Sequence, residues 1–216
     1  MKRLLIIGGG GFGREVLGWA LQIPESARDW KVGGFLDDNP KCLDGYGVSV
    51  EIIGQPSSIV PSRNDVFVCA IGDPATKLHL CREMSNRGAD FTTLIHPSAI
   101  MGPGCSIGTG SILCPGVVLT TNVKLGNFVT MNVYATVGHD AIIGDGSTMH
   151  AHSDVTGRAV LGEGVLLGSH ASVLPSVKVG DYAVIGAGSV AMRHVPGRAT
   201  VVGVPARQVS GFAVNE

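Results

Sequence analysis

His139 and Asp140 stand side by side in the segment Val137-Gly138-His139-Asp140, and a histidine next to a carboxylate is a pairing that can move protons. An unperturbed imidazole titrates at about 6.5, so near neutral pH it can take a proton from an amine or a hydroxyl. The adjacent carboxylate could orient the ring or stabilise the imidazolium. An exposed histidine on a polar corner is the other reading of the same residue. A second set of candidates is the run Gly8-Gly9-Gly10-Gly11-Phe12-Gly13, which follows the apolar Leu4 to Ile7 and precedes Arg14 to Ile23 at helical spacing. Strand, glycine turn and helix in that order aim a helix amino terminus at the turn, so the amides of Gly10, Gly11 and Gly13 would meet a phosphate. Asp37 and Asp38 end the next apolar run and could accept hydrogen bonds from a base or ribose. Gly72-Asp73 ends a third run, Asp65 to Ile71, and would converge on the same crevice as Gly8 to Gly13.

Histidine and cysteine also raise metal and thiol chemistry. His152 and His170 are eighteen residues apart, the length of one coil in the architecture derived below, so they should stack on neighbouring coils. Catalytic zinc needs three protein ligands and an open position. His139 falls on another corner and His150 has no evident third partner, so no metal is expected. The five cysteines (42, 69, 81, 105 and 114) are odd in number and form no C-x-x-C pair, which suggests neither a disulfide framework nor a zinc ribbon.

The elements that hold these residues are read from hydrophobic period. From Ile95 to Ile185, every sixth residue is aliphatic or Met for sixteen blocks, and the fifth position of each block is small or β-branched. A helix needs apolar residues every three or four positions and a half-buried strand alternates, so a period of six fits neither. It fits a parallel β-helix: three blocks make a coil of eighteen residues, coils stack at strand spacing, and the block-opening residue fills the axis. His139 then sits on a corner and points outward, and the residue one coil later is Gly157, which leaves an open slot beside the imidazole. Before the repeat, apolar runs at Leu4 to Ile7, Val32 to Leu36 and Asp65 to Ile71 alternate with helical patterns at Arg14 to Ile23 and Ala75 to Arg87, with loop and short strand over Gly54 to Val60. That alternation implies a small parallel sheet. The fold class is therefore a small Rossmann-like α/β domain, residues 1–92, followed by a parallel β-helix, residues 93–216. Gly8, Gly10, Gly13 and a later Asp match the dinucleotide fingerprint, yet ninety residues supply only one mononucleotide-binding half, which favours a mononucleotide or nucleotide-sugar over NAD. A purely structural glycine turn is the alternative.

Composition narrows the partners. A net charge of -1 gives no reason to expect nucleic acid or an anionic membrane surface. The apolar stretch near Met1 is broken by glycines after four residues, and no run is long enough to span a bilayer, so a cytoplasmic protein without membrane insertion is expected.

A hexapeptide prism ending in Gly-Val-Pro-Ala-Arg, here Gly203 to Arg207, behind a glycine-rich half-Rossmann domain resembles the NeuD/PglD-like sugar acetyltransferases over essentially the whole chain. The resemblance implies that the parallel β-helix is left-handed, and that the protein is a homotrimer that moves an acetyl group from acetyl-CoA to an amine, sometimes a hydroxyl, of a sugar, commonly a nucleotide-linked 4-amino-4,6-dideoxy sugar. It implies His139 and Asp140 as the catalytic pair, Asn132 on the substrate side, and CoA contacts at Gly157, Ser169, Ala187, Gly203 and Arg207. Two positions depart from it. Some relatives have His in the glycine turn, where it approaches the sugar, and this chain has Phe12, which leaves the sugar's identity open. Some carry a second His nine residues past the catalytic one, where this chain has Thr148. The alternatives are an O-acetyltransferase for sialic acid or another free sugar, a carbonic-anhydrase-like zinc protein, and a nucleotide-binding scaffold without catalysis. His152 and His170 read as interface or CoA-side polar contacts.

Overall fold

The computed structural model describes residues 1–209; the last seven residues of the expected second domain lie outside them. The chain begins with β1 (Lys2–Ile7), α1 (Gly11–Gln22), β2 (Trp30–Leu36), β3 (Ile52–Gly54), β4 (Asp65–Cys69) and α2 (Pro74–Asn86). The four strands form one parallel sheet in the order β3-β2-β1-β4. Leu4–Ile7 of β1 and all of β4 are buried because both faces are covered. Leu4 and Ile6 pack with Val16 and Ala20 of α1, whereas Leu5 and Ile7 pack with Leu78, Cys81 and Met84 of α2.

The sequence reading places these elements with shifts at their ends. α1 starts at Gly11 rather than Arg14, with Gly10 as an N-cap that offers no side chain, so the first-turn N–H groups lie within the glycine run itself. α2 starts at Pro74, whose missing N–H costs nothing at the first helical position, and Asp73 caps it by accepting from Thr76 N at 2.7 Å. The short third strand ends at Gly54 instead of following it, with Ile52 paired to Phe35 and Gly54 to Leu36 across a register shift.

From Leu94 the chain winds into a three-faced parallel β-helix of two-residue strands. One face has five strands, one six and one eight. Partners are one coil apart, as in Thr136↔Asp154 and Val137↔Val155, so the eighteen-residue period of the sequence is the observed register. Leu119, Val137, Val155 and Val173 stack along the axis, fully buried, and Val117, Ala135, Ser153 and Ala171 fill the corners without solvent exposure. Each such aliphatic residue contributes roughly 1.5–3 kcal/mol by burial. Corner residues adopt the left-handed conformation, among them Tyr134, Asp140, His152 and His170 at φ near +60°. The last coil is shorter: Val179 pairs with Val195 and Val184 with Thr200. Thr200–Gly203 then turns back on Ala206–Val209 as an antiparallel hairpin that ends the eight-stranded face.

The α/β part packs against that same face. Lys77 of α2 is 1% exposed, and its ammonium donates to Thr130 Oγ1 at 2.9 Å, Thr148 Oγ1 at 2.8 Å and the Ser147 carbonyl at 3.4 Å. Burial pushes this amine down to about 8. Arg82, one turn further along α2, makes a two-pronged pair with Glu163 at the corner between the five- and eight-stranded faces, and Tyr182 donates to the same carboxylate. On the other side, His96 of the prism meets Gln22 of α1 at 2.9 Å.

Candidate active site

His139 follows Thr136–Val137 of the six-stranded face and precedes Ile142–Ile143 of the five-stranded face, so it lies on the corner between them. Its side chain is 55% exposed, and Nδ1 lies 2.8 Å from Asp140 Oδ2. A carboxylate can only accept, so Nδ1 carries the hydrogen and Nε2 is left with its lone pair free. The other carboxylate oxygen of Asp140 accepts from Asn122 Nδ2 at 3.1 Å. The His139 hydrogen bond first, and the Asn122 bond second, hold the Asp140 carboxyl below its usual range, which keeps it ionised beside the ring. Gly157 lies one coil away in the stack, and a Cβ there would sit 2.5 Å from His139 Nε2. The free nitrogen therefore faces a vacancy that any side chain at 157 would close. Asn122 is the member of this set that sequence reasoning missed; its spacing of one coil from Asp140 is the signal that could have found it.

The glycine crevice is built by different means. Gly13 packs so closely on β1 that a Cβ would overlap the Gly8 carbonyl oxygen, so its identity is explained by helix–strand packing. Added Cβ atoms at Gly10 and Gly72 would meet nothing within 4 Å, and at Gly11 only an Arg14 nitrogen at 3.9 Å, so these positions line open space at the start of α1. Asp37 accepts from Gly9 N at 2.7 Å and from Asn39 N at 2.8 Å, which gives both its oxygens a backbone duty and leaves Asp38 as the exposed carboxylate of the pair. Asp73 likewise serves its helix cap. Phe12 packs edge-on against Trp19 at 6.1 Å and borders a cavity of about 250 Å³ that continues to Thr130, Asn132, Thr148 and His150 on the eight-stranded face.

Not all the expected residues meet in one chain. Gly157 shares the His139 corner. Ser169 and Ala187 lie instead on the corner between the eight- and six-stranded faces, as Asn132 does, and Gly203 and Arg207 belong to the terminal hairpin. The six-stranded face separates the two groups. On the second corner, Tyr134, His152 and His170 form a ladder of stacked rings, with centroids 5.3 and 4.8 Å apart and planes within 10°. Among the described residues no three His, Cys, Asp or Glu side chains converge as a metal site would require, and no helix is long and apolar enough to cross a membrane.

Known proteins share this fold. The model of the PglD N-terminal domain matches residues 3–84, and the bacterial transferase hexapeptide model (six repeats) matches residues 158–191. The PerB structure from Caulobacter crescentus, solved with CoA and GDP-perosamine, superposes with a TM-score of 0.86 at 28% identity, covering 97% of this chain and 98% of that one. The chain is similar to PglD-like proteins in its first part and to hexapeptide-repeat transferases in its prism. Among its relatives, GDP-perosamine N-acetyltransferase of Escherichia coli O157:H7 is 29% identical over 145 residues, 65% of this chain and 63% of that protein. UDP-N-acetylbacillosamine N-acetyltransferase of Bacillus subtilis (strain 168) is 30% identical over 117 residues, 52% of this chain and 51% of that protein. The matches thus span under two thirds of these two relatives' lengths.

Proposed function

We propose that this chain is an acetyl-CoA-dependent N-acetyltransferase that acylates the amine of a nucleotide-linked amino sugar, of the 4-amino-4,6-dideoxy class, for glycan biosynthesis. The observation that carries the reading is the free Nε2 of His139, held in one tautomer by Asp140 and facing the Gly157 vacancy. That vacancy fits a slim thioester arm, and the open amides at Gly10 and Gly11 fit a phosphate. The names of the relatives support the acceptor class, and PerB is solved with both CoA and GDP-perosamine.

In this mechanism residues 1–92 hold the nucleotide-sugar, with Gly8 to Gly13, Asp38 and Gly72 around the crevice and Asn132 on the sugar side. His139 Nε2 removes the proton as the amine attacks the acyl carbonyl, Asp140 stabilises the imidazolium that results, and as the C–S bond breaks the imidazolium returns the proton to the departing CoA sulfur. Gly157 N–H, which has no acceptor among the described residues, is the donor for the oxygen that gains negative charge. The residues from 93 onward supply this step. Because Asn132, Ser169 and Ala187 share one corner and His139 and Gly157 another, we read the catalytic unit as a homotrimer in which one copy's first corner faces its neighbour's second. We place it in the cytoplasm, where acetyl-CoA and nucleotide-sugars are made.

Thiol release from acetyl-CoA with UDP-, GDP- and dTDP-linked 4-amino sugars, wild type beside His139→Ala, tests this. Turnover on one of them that falls by about 10²- to 10⁴-fold in the variant is expected. A folded wild type that turns over none of them overturns the amino-sugar reading, and turnover on a hydroxyl acceptor would replace it.

A further inference from the structure

The corner that carries Asp140 repeats every eighteen residues, so Gly104, Asn122, Asp140, Arg158 and Ser176 form a column along the prism. Asp140 Oδ2 faces the His139 ring, and Oδ1 accepts from Asn122 Nδ2 at 3.1 Å. Arg158, one coil further on, adds positive charge near the carboxyl, but its Nε–H is directed at Ser176 Oγ, 3.5 Å away. Among the described residues, Asn122 is therefore the one side chain other than His139 that hydrogen-bonds the Asp140 carboxylate.

That second bond matters because the carboxyl group is half exposed. The torsion that turns an Asp carboxyl is broad, so a single bond to the ring leaves its plane free to swing. A bond to each oxygen fixes it. Asn122 can serve because its own amide is oriented. Its backbone takes φ 56°, and its N–H donates to Pro103 O at 2.9 Å. Its Oδ1 lies over Gly104, where an added Cβ would overlap it. With the carbonyl end of the amide turned to the glycine, the NH2 end faces Asp140, which can only accept. A vacancy on each side thus serves one histidine: Gly104 seats the amide behind Asp140, and Gly157 clears the space at Nε2.

We propose that Asn122 is a positioning residue for the transfer step. It holds the Asp140 carboxylate in the plane that keeps the hydrogen on His139 Nδ1, and so keeps Nε2 unprotonated at the Gly157 vacancy. It acts only through Asp140 and exchanges no proton itself. The consequence for turnover rests on the proposed function, in which His139 is the base; the link from Asn122 to the tautomer does not.

Asn122→Gly tests both. Glycine takes the left-handed corner freely, as Gly104 already does at φ 74°, so the variant loses the amide and keeps the coil. Nitrogen NMR of the His139 ring in the substrate-free protein, at a pH where the ring is neutral, reads the tautomer. Wild type is expected to hold the Nδ1–H form, and Asn122→Gly to mix in the Nε2–H form. On the acceptor selected by the thiol-release panel, kcat should fall about three- to tenfold, the worth of one hydrogen bond, with KM within about twofold. In an Asp140→Gly background the same substitution should change kcat by less than about 1.5-fold, because the group it acts through is gone. An unchanged tautomer in Asn122→Gly, or an equal loss of kcat with and without Asp140, overturns the assignment of Asn122. A tautomer that shifts as expected in a protein that turns over no amino sugar overturns the proposed function and leaves the positioning link standing.

Discussion

Two corners of the prism carry exposed histidines on the same scaffold, and they differ in what the neighbouring coil places beside the ring. At the first corner His139 has a carboxylate on one nitrogen and a glycine opposite the other. At the second, His152 is stacked between Tyr134 and His170, with rings on both sides. A stacked ring gains contact, and a ring beside a vacancy gains reach. Chemistry on a repeat scaffold thus depends on where a side chain is left out as much as on which side chain is present.

Filling the vacancy is the sharpest way to break this contrast. Gly157→Ala puts a methyl group 2.5 Å from Nε2, so the ring must turn away. A displacement of that size is expected to lower kcat about 100-fold, with a melting temperature close to wild type. Near-normal turnover in a folded Gly157→Ala protein would detach the vacancy from the reaction. Asp140→Asn should have a smaller effect. Asn tolerates the left-handed conformation at φ 60°, so the corner persists, but an amide no longer selects the tautomer or balances the imidazolium. A loss of about 10- to 100-fold in kcat is expected, less than for a buried triad carboxylate because this pair is half exposed. The smallest effect is at the other corner. His152→Asn keeps the backbone and breaks the ring ladder, and should cost about 0.5–1.5 kcal/mol in denaturant unfolding while leaving kcat within about threefold. A collapse of turnover there would erase the distinction between the corners.

The prism was legible because a period of six leaves little freedom: once Val137 opens a block, His139 must occupy a corner and Gly157 must lie beside it. The stacking of His152 on His170 followed from the same arithmetic. The last coil escaped because its register changes after Ala191, where Val179 pairs with Val195. In the α/β part the strands and helices were legible, but loop geometry decides what each polar side chain does. Asp37 and Asp73 read as ligand groups, and each also holds nearby backbone N–H groups, which no spacing rule announces. Lys77 was the hardest to see. A lysine in a helix reads as a solvated face, and only the packing of α2 on Thr130 and Thr148 turns it inward.

That buried lysine also limits how the molecule can move. α2 is fastened at Lys77 and again at Arg82, two points on one helix. Swinging the sheet away from the prism would break the three hydrogen bonds of Lys77 and the Arg82–Glu163 pair together, so the sheet and the prism are tied at both points. In the proposed reaction the substrate would therefore exchange through local loop movement, beside a helix pinned to the prism wall at two points.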